Sequence, residues 1–212
     1  MIITRQKPFE KIKEMTAPYN KLFIVGCGTC STSCQTGGEE EVAEMVEKLG
    51  DKVIGSAMVE EPCDLRINRR DLKEHRATLN EADAVLVMSC GAGVQTVGDY
   101  TGKVVLPALD TNFIGETERI GKFYDRCKAC GDCILDETGG ICPITRCAKG
   151  LLNGPCGGQV DGKCEVGEYE NDCAWVLIYE KLREQGRLDL FTKFRPPRDN
   201  SKKTLLTEVI FR

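Results

Sequence analysis

Lys21-Leu-Phe-Ile-Val-Gly26 runs directly into Cys27-Gly-Thr-Cys30-Ser-Thr-Ser-Cys34-Gln-Thr-Gly-Gly38, and then into Glu39-Glu-Glu-Val-Ala-Glu-Met-Val-Glu-Lys-Leu49-Gly50. The short unbroken apolar run predicts a strand buried on both faces. Val42, Met45, Val46 and Leu49 recur at the spacing of one helix face, and Gly50 supplies the stop. Glu39, Glu40 and Glu41 suit the positive end of that helix. Strand, thiol-bearing loop, helix is therefore the first unit of the fold.

The unit repeats downstream. A second strand is predicted over Lys52–Met58, followed by a polar loop holding Cys63 and a helix from about Asn68 to Asn80. Ala84-Val-Leu-Val-Met88 is the third strand. It ends in Ser89-Cys90-Gly91-Ala92-Gly93 and a short helix, and the last strand covers Lys103–Leu106. Alternating strands and helices predict right-handed crossovers and a parallel sheet. The fold class is α/β: a small doubly-wound (Rossmann- or flavodoxin-like) sheet over residues 21–110.

Ligands of such sheets sit beyond the carboxyl ends of the strands. Cys27, Cys30 and Cys34 follow the first strand, Cys63 the second and Cys90 the third. With the first strand between its neighbours, all five approach one edge, and four of them can make a metal site. At least one is then an ordinary buried thiol. Gly26-x-Gly28 could open a dinucleotide fingerprint, but Ser31 stands where its third glycine belongs, and thiols crowd the loop.

The other eight of the thirteen cysteines lie between Cys127 and Cys173. Cys127-x-x-Cys130-x-x-Cys133 is the spacing that holds three corners of a [4Fe-4S] cubane, and Cys142-Pro143 has the Cys-Pro form of bacterial ferredoxins. In two-cluster ferredoxins that Cys-Pro thiol serves the other cluster. Cys142, Cys147, Cys156, Cys164 and Cys173 are spaced 5, 9, 8 and 9 apart, without the tight pairs of a zinc ribbon. Any four could bind zinc or a second cluster, the fifth completing the first site. Arg126, Lys128, Arg146 and Lys149 lie among these thiols, either as surface charges or as groups that raise a cluster's potential.

Residues 111–126 read as a linker or short helix into this cysteine-rich, irregular domain, which extends over 111–194. A helix over Ala174–Leu182 closes it, with Trp175, Ile178, Tyr179 and Leu182 on one face against the metal loops. Residues 1–20 form an N-terminal helical arm, with Phe9, Ile12 and Met15 on one face. Residues 195–212 form an extended tail whose Leu205–Phe211 end could clasp a partner.

The chain has 212 residues and a formal net charge of −4, with no basic excess pointing to nucleic acid. No apolar run approaches the roughly 18 residues of a membrane helix. The N-terminus lacks a signal-peptide core, the cysteine count is odd, and C-x-x-C pairs favour metal over disulfides; the reading is a cytoplasmic protein. His75, the single histidine, sits among Lys73, Glu74 and Arg76 and reads as a surface residue, so no Ser-His-Asp chemistry is available.

Val25-Gly-Cys-Gly-Thr-Cys30, Ser89-Cys-Gly-Ala-Gly-Val-Gln95, the Cys127–Cys133 triple, Leu152-Asn-Gly-Pro-Cys-Gly-Gly158 and Cys173-Ala-Trp175 carry a further signal. Over nearly the whole chain these pieces resemble the small cysteine-rich subunit of methylenetetrahydrofolate reductase in acetogenic bacteria. The resemblance implies a non-catalytic accessory subunit in one-carbon metabolism. In that family a separate FMN-bearing TIM-barrel subunit reduces methylene- to methyl-tetrahydrofolate. The small subunit carries [4Fe-4S] clusters, with zinc also reported, and links the flavin to an electron-donor protein. FMN is expected only on the partner. The alternative is a zinc-organised adaptor that stabilises the partner without carrying electrons.

Overall fold

The computed structural model describes residues 1–200 and divides into two compact units, Met1–Tyr124 and Asp125 onward. In chain order the first contains β1 (Ile2–Gln6), α1 (Phe9–Thr16), β2 (Leu22–Cys27), the single turn α2 (Cys30–Ser33), α3 (Glu39–Leu49) and β3 (Val53–Val59). These are followed by α4 (Leu65–Asp71), α5 (Arg76–Glu81), β4 (Ala84–Met88), α6 (Gly91–Thr101), β5 (Val104–Pro107), β6 (Leu109–Arg119) and β7 (Lys122–Cys127), which leads into the second unit.

The main sheet is four-stranded and parallel, in the order β3-β2-β4-β5. The doubly-wound expectation holds, and β2 does lie inside the sheet, between β3 and β4. Every residue of β2 and β4 is buried, as the unbroken apolar runs require. Alternate side chains feed two cores. Phe23, Val25, Val85 and Val87 pack with Leu72, Leu79, Val94 and Val97 of one helical layer. Ile24, Leu86 and Met88 pack with Ile12 of α1 and Val42 and Met45 of α3 on the other.

Three elements differ from the sequence reading. Ile2–Gln6 is a strand, paired antiparallel with β6, and β1-β6-β7 form a second sheet. Residues 111–126, read as a linker or short helix, are therefore mostly strand. Their turn is Ile120-Gly121, where Gly121 takes φ 81°, the left-handed region open to glycine. The predicted helix from Asn68 to Asn80 is two helices, α4 and α5. α4 begins earlier because Asp64 Oδ1 accepts the Arg66 amide at 2.7 Å. His75 lies between them, half-buried rather than on the surface, its ring 5.7 Å from that of Phe23.

The second unit has little regular structure, as its glycines and thiols suggest. It contains the one-turn α7 (Pro143–Arg146) and α8 (Ala174–Glu184). Trp175, Ile178 and Leu182 bury one face of α8, whereas Tyr179 is 39% exposed at the edge of that stripe. The segment Leu205–Phe211, the expected clasp, lies outside the described residues. No helix among the described residues is long and apolar enough to cross a membrane.

Candidate metal centres

The parallel sheet delivers three thiols to one region. Cys27 ends β2, Cys63 follows β3, and Cys90 caps α6 just past β4. Cys63 has its pKa raised by desolvation first, then by the neighbouring charge of Cys90, with a smaller contribution from Cys27. The Cys63 loop is built rather than loose. Buried Asn68 donates through Nδ2 to Pro62 O at 2.7 Å and to Asp64 O at 3.0 Å, tying the loop from both sides of the cysteine. Gly93 lets α6 approach it, since a Cβ there would lie 3.0 Å from Pro62 and collide with Ser89 Oγ.

Cys30 and Cys34 behave differently. They bracket α2, and both address the backbone of β1. Ile2 N donates to Cys30 Sγ at 3.5 Å, and Cys34 Sγ donates to Ile2 O at 3.8 Å. The five thiols expected at one edge thus divide into Cys27, Cys63 and Cys90 at the strand ends and a pair turned to the first strand.

A nearby cleft of about 720 Å³ opens past β2 and β3 between Gly28, Gly38 and Glu60. Glu39, Glu40, Glu41 and Asp71 line it as well, a rim that repels a pyrophosphate. Glu41 also accepts the Gly38 amide at 2.8 Å, closing the start of α3.

In the second unit the eight thiols separate into two sets of four. Cys127, Cys130, Cys133 and Cys142 line a cavity of about 230 Å³ with Ile134, Leu135 and Ile144. Cys147, Cys156, Cys164 and Cys173 line another of about 20 Å³ under Trp175. The division comes from α7, a single turn with Cys142 as its N-cap and Cys147 as its C-cap, so the two thiols leave opposite ends. Lys149 Nζ donates to Cys156 Sγ at 3.5 Å and also pairs with Glu165. Among the described residues, no three Cys, His, Asp or Glu side chains converge on one ion position. The donor chemistry of both cavities nevertheless fits soft metals held by thiolate.

The Asn-Gly-Pro-Cys-Gly-Gly stretch owes its form to this second cavity. Gly154 and Gly157 take φ 97° and 81°, bending the chain around Cys156. A Cβ on Gly158 would overlap the Glu165 carboxylate. Asn153 pairs with the Arg195 backbone, donating to its carbonyl at 2.8 Å and accepting its amide at 2.7 Å.

That contact belongs to a network the sequence reading missed. Arg195, only 5% exposed, donates to Glu137 Oε2 at 2.8 Å and Glu137 O at 3.1 Å, and lies 5.7 Å over the Trp175 ring. A charged residue in a presumed tail gave no hint of burial. Lys193, then Arg195, holds the Glu137 carboxyl below its usual pKa. Its folded value being depressed, this contribution is present above the unfolded value of 4.5 and disappears as pH falls through the folded one. Glu137→Gln should therefore remove part of the loss of stability on acidification below pH about 5. Urea midpoints at pH 7 and pH 4 check this: an unchanged pH difference in the variant would exclude Glu137 as a contributor.

Fold and thiols together define a doubly-wound α/β unit followed by an irregular unit built around eight cysteines. Residues 106–201 match the family described as "Methylene-tetrahydrofolate reductase C terminal", which relates this portion of the chain to methylenetetrahydrofolate reductase. No curated protein and no solved structure matches the chain.

Proposed function

We propose that the chain is the electron-transfer accessory subunit of a methylenetetrahydrofolate reductase complex. It relays electrons from a donor protein to the FMN of a catalytic partner. The observation that carries this reading is the cavity shared by Cys127, Cys130, Cys133 and Cys142, with its apolar lining, inside the segment matched to the reductase family.

A cubane bound there supplies reversible one-electron exchange. The four thiolates would hold it, and Ile134, Leu135 and Ile144 would give it apolar neighbours. Proton delivery to the folate is assigned to the partner. At the smaller cavity, Cys147, Cys156, Cys164 and Cys173 supply the four-thiolate donor set that would hold a tetrahedral ion such as zinc, and Trp175 lines the same cavity. This second site favours an adaptor role alongside the relay. Cys27, Cys63 and Cys90, with Cys30 or Cys34, are candidates for a further cluster.

On this reading, anaerobically purified protein is brown, contains iron, acid-labile sulfide and zinc, and does not itself reduce methylenetetrahydrofolate. With the flavin-bearing subunit, a low-potential donor reduces FMN in stopped flow. Replacing Cys127, Cys130 and Cys133 by serine should abolish that reduction while the complex still forms. Equal FMN reduction in the triple variant would exclude the relay and leave the adaptor.

A further inference from the structure

We propose that Arg198 is a positioning residue for the Cys127–Cys133 loop, held there by a strap whose anchor is Arg195. The inference rests on the reading of that loop as a cluster site and adds to it a residue from far along the chain.

The loop needs an outside partner. Ala129 takes φ 48° and Gly131 φ 77°, so the backbone turns through the left-handed region on both sides of Cys130. Such a loop has no ladder to satisfy its carbonyls. Arg198 Nη2 meets two of them, donating to Asp132 O at 2.9 Å and to Cys130 O at 3.4 Å. Its side chain also lines the cavity of the four thiols.

The strap determines where Arg198 can be. Arg195 is fixed by Glu137, by the carbonyl of Leu190 at 3.2 Å, and by the reciprocal pair with Asn153. Pro196 and Pro197 then restrict φ and favour an extended path. At about 3.1 Å per residue, three residues reach roughly 9 Å. A buried anchor and a stiff spacer thus present the guanidinium to the loop at low entropic cost. Two consequences follow for a bound cluster. The bonds to Cys130 O and Asp132 O hold the thiols in the turn that retains metal. The permanent positive charge favours the reduced, more anionic state and raises the potential.

The test uses the full chain, purified anaerobically, with Arg198→Gln, Arg198→Lys and Arg187→Gln. Arg187 makes a similar bond to Asp136 O at 2.7 Å, but it does not line the thiol cavity, so it serves as the control. Arg198→Gln should lose iron to a chelator about 10- to 100-fold faster, the range for partners that support metal ligands, and its midpoint should move down in an EPR-monitored titration. Arg198→Lys should restore the midpoint but not the retention, because an ammonium lacks the rigid fork. Arg187→Gln should match wild type in both. Wild-type retention and midpoint in Arg198→Gln would overturn the proposal. Wild-type protein without iron would instead overturn the cluster reading. Hydrogen exchange of amides 129–133 in the metal-free chain then decides Arg198 separately: faster exchange in Arg198→Gln upholds the positioning role, and unchanged exchange removes it.

Discussion

Cys142→Ser should deplete the cluster proposed at the Cys127 triple and spare the proposed zinc, whereas Cys147→Ser should do the reverse. The two positions are five residues apart in a stretch where spacing alone lets either complete either site. α7 separates them, with Cys142 at its N-cap among Cys127, Cys130 and Cys133, and Cys147 at its C-cap among Cys156, Cys164 and Cys173. Four thiolates complete the ligand set of such a cluster, so removing one weakens its retention, and metal binding in such a loop-rich unit is also folding free energy. Iron should therefore fall well below wild type in Cys142→Ser, with zinc within error of wild type. Iron, sulfide and zinc analysis on both variants, with EPR of the reduced samples, reads the result. Loss of both metals from both variants would mean that the eight thiols form one interdependent centre, and the four-and-four assignment would fail.

The parallel sheet was legible because burial on both faces writes an unbroken apolar run, and β2 and β4 are such runs. Its thiols were legible for a topological reason: strand ends in a parallel sheet share an edge, so Cys27, Cys63 and Cys90 come together wherever the loops wander. The second sheet was not legible. β6 is eleven residues long but alternates poorly, with exposed Asp110, Thr111 and Asn112 next to buried Leu109. It pairs with β1 across more than a hundred residues, a contact no local pattern announces. That pairing also decides the fate of Cys30 and Cys34, because it carries Ile2 to their sulfurs. Arg195 was unreadable for a related reason. Its partners Glu137 and Asn153 lie 58 and 42 residues away, and an arginine followed by two prolines looks like solvent-exposed tail.

Trp175→Ala should destabilise the second unit by about 3–5 kcal/mol, the range for truncating a buried large aromatic. Few side chains there do as much. Trp175 is 1% exposed, and its Nε1 donates to Leu151 O at 3.0 Å. Phe191 meets its ring edge-on at 5.9 Å, and Arg195 lies over it. Truncation opens a void beside Ile178 and Leu182, leaves the Leu151 carbonyl without its donor, and exposes the wall of the cavity shared by Cys147, Cys156, Cys164 and Cys173. Trp175→Phe keeps much of the apolar contact and should cost less, chiefly the hydrogen bond at about 1 kcal/mol and some volume. Because Trp175 is the chain's single tryptophan, its fluorescence vanishes with it, and urea unfolding must be followed by circular dichroism at fixed zinc concentration. If the proposed zinc is bound, its affinity for the alanine variant should fall in the same experiment, since a bound ion and the folded unit stabilise each other. A midpoint change in Trp175→Ala no larger than that in Trp175→Phe would show that the indole contributes little beyond its hydrogen bond. Cys147, Cys156, Cys164 and Cys173 would then have to hold their cavity together without it.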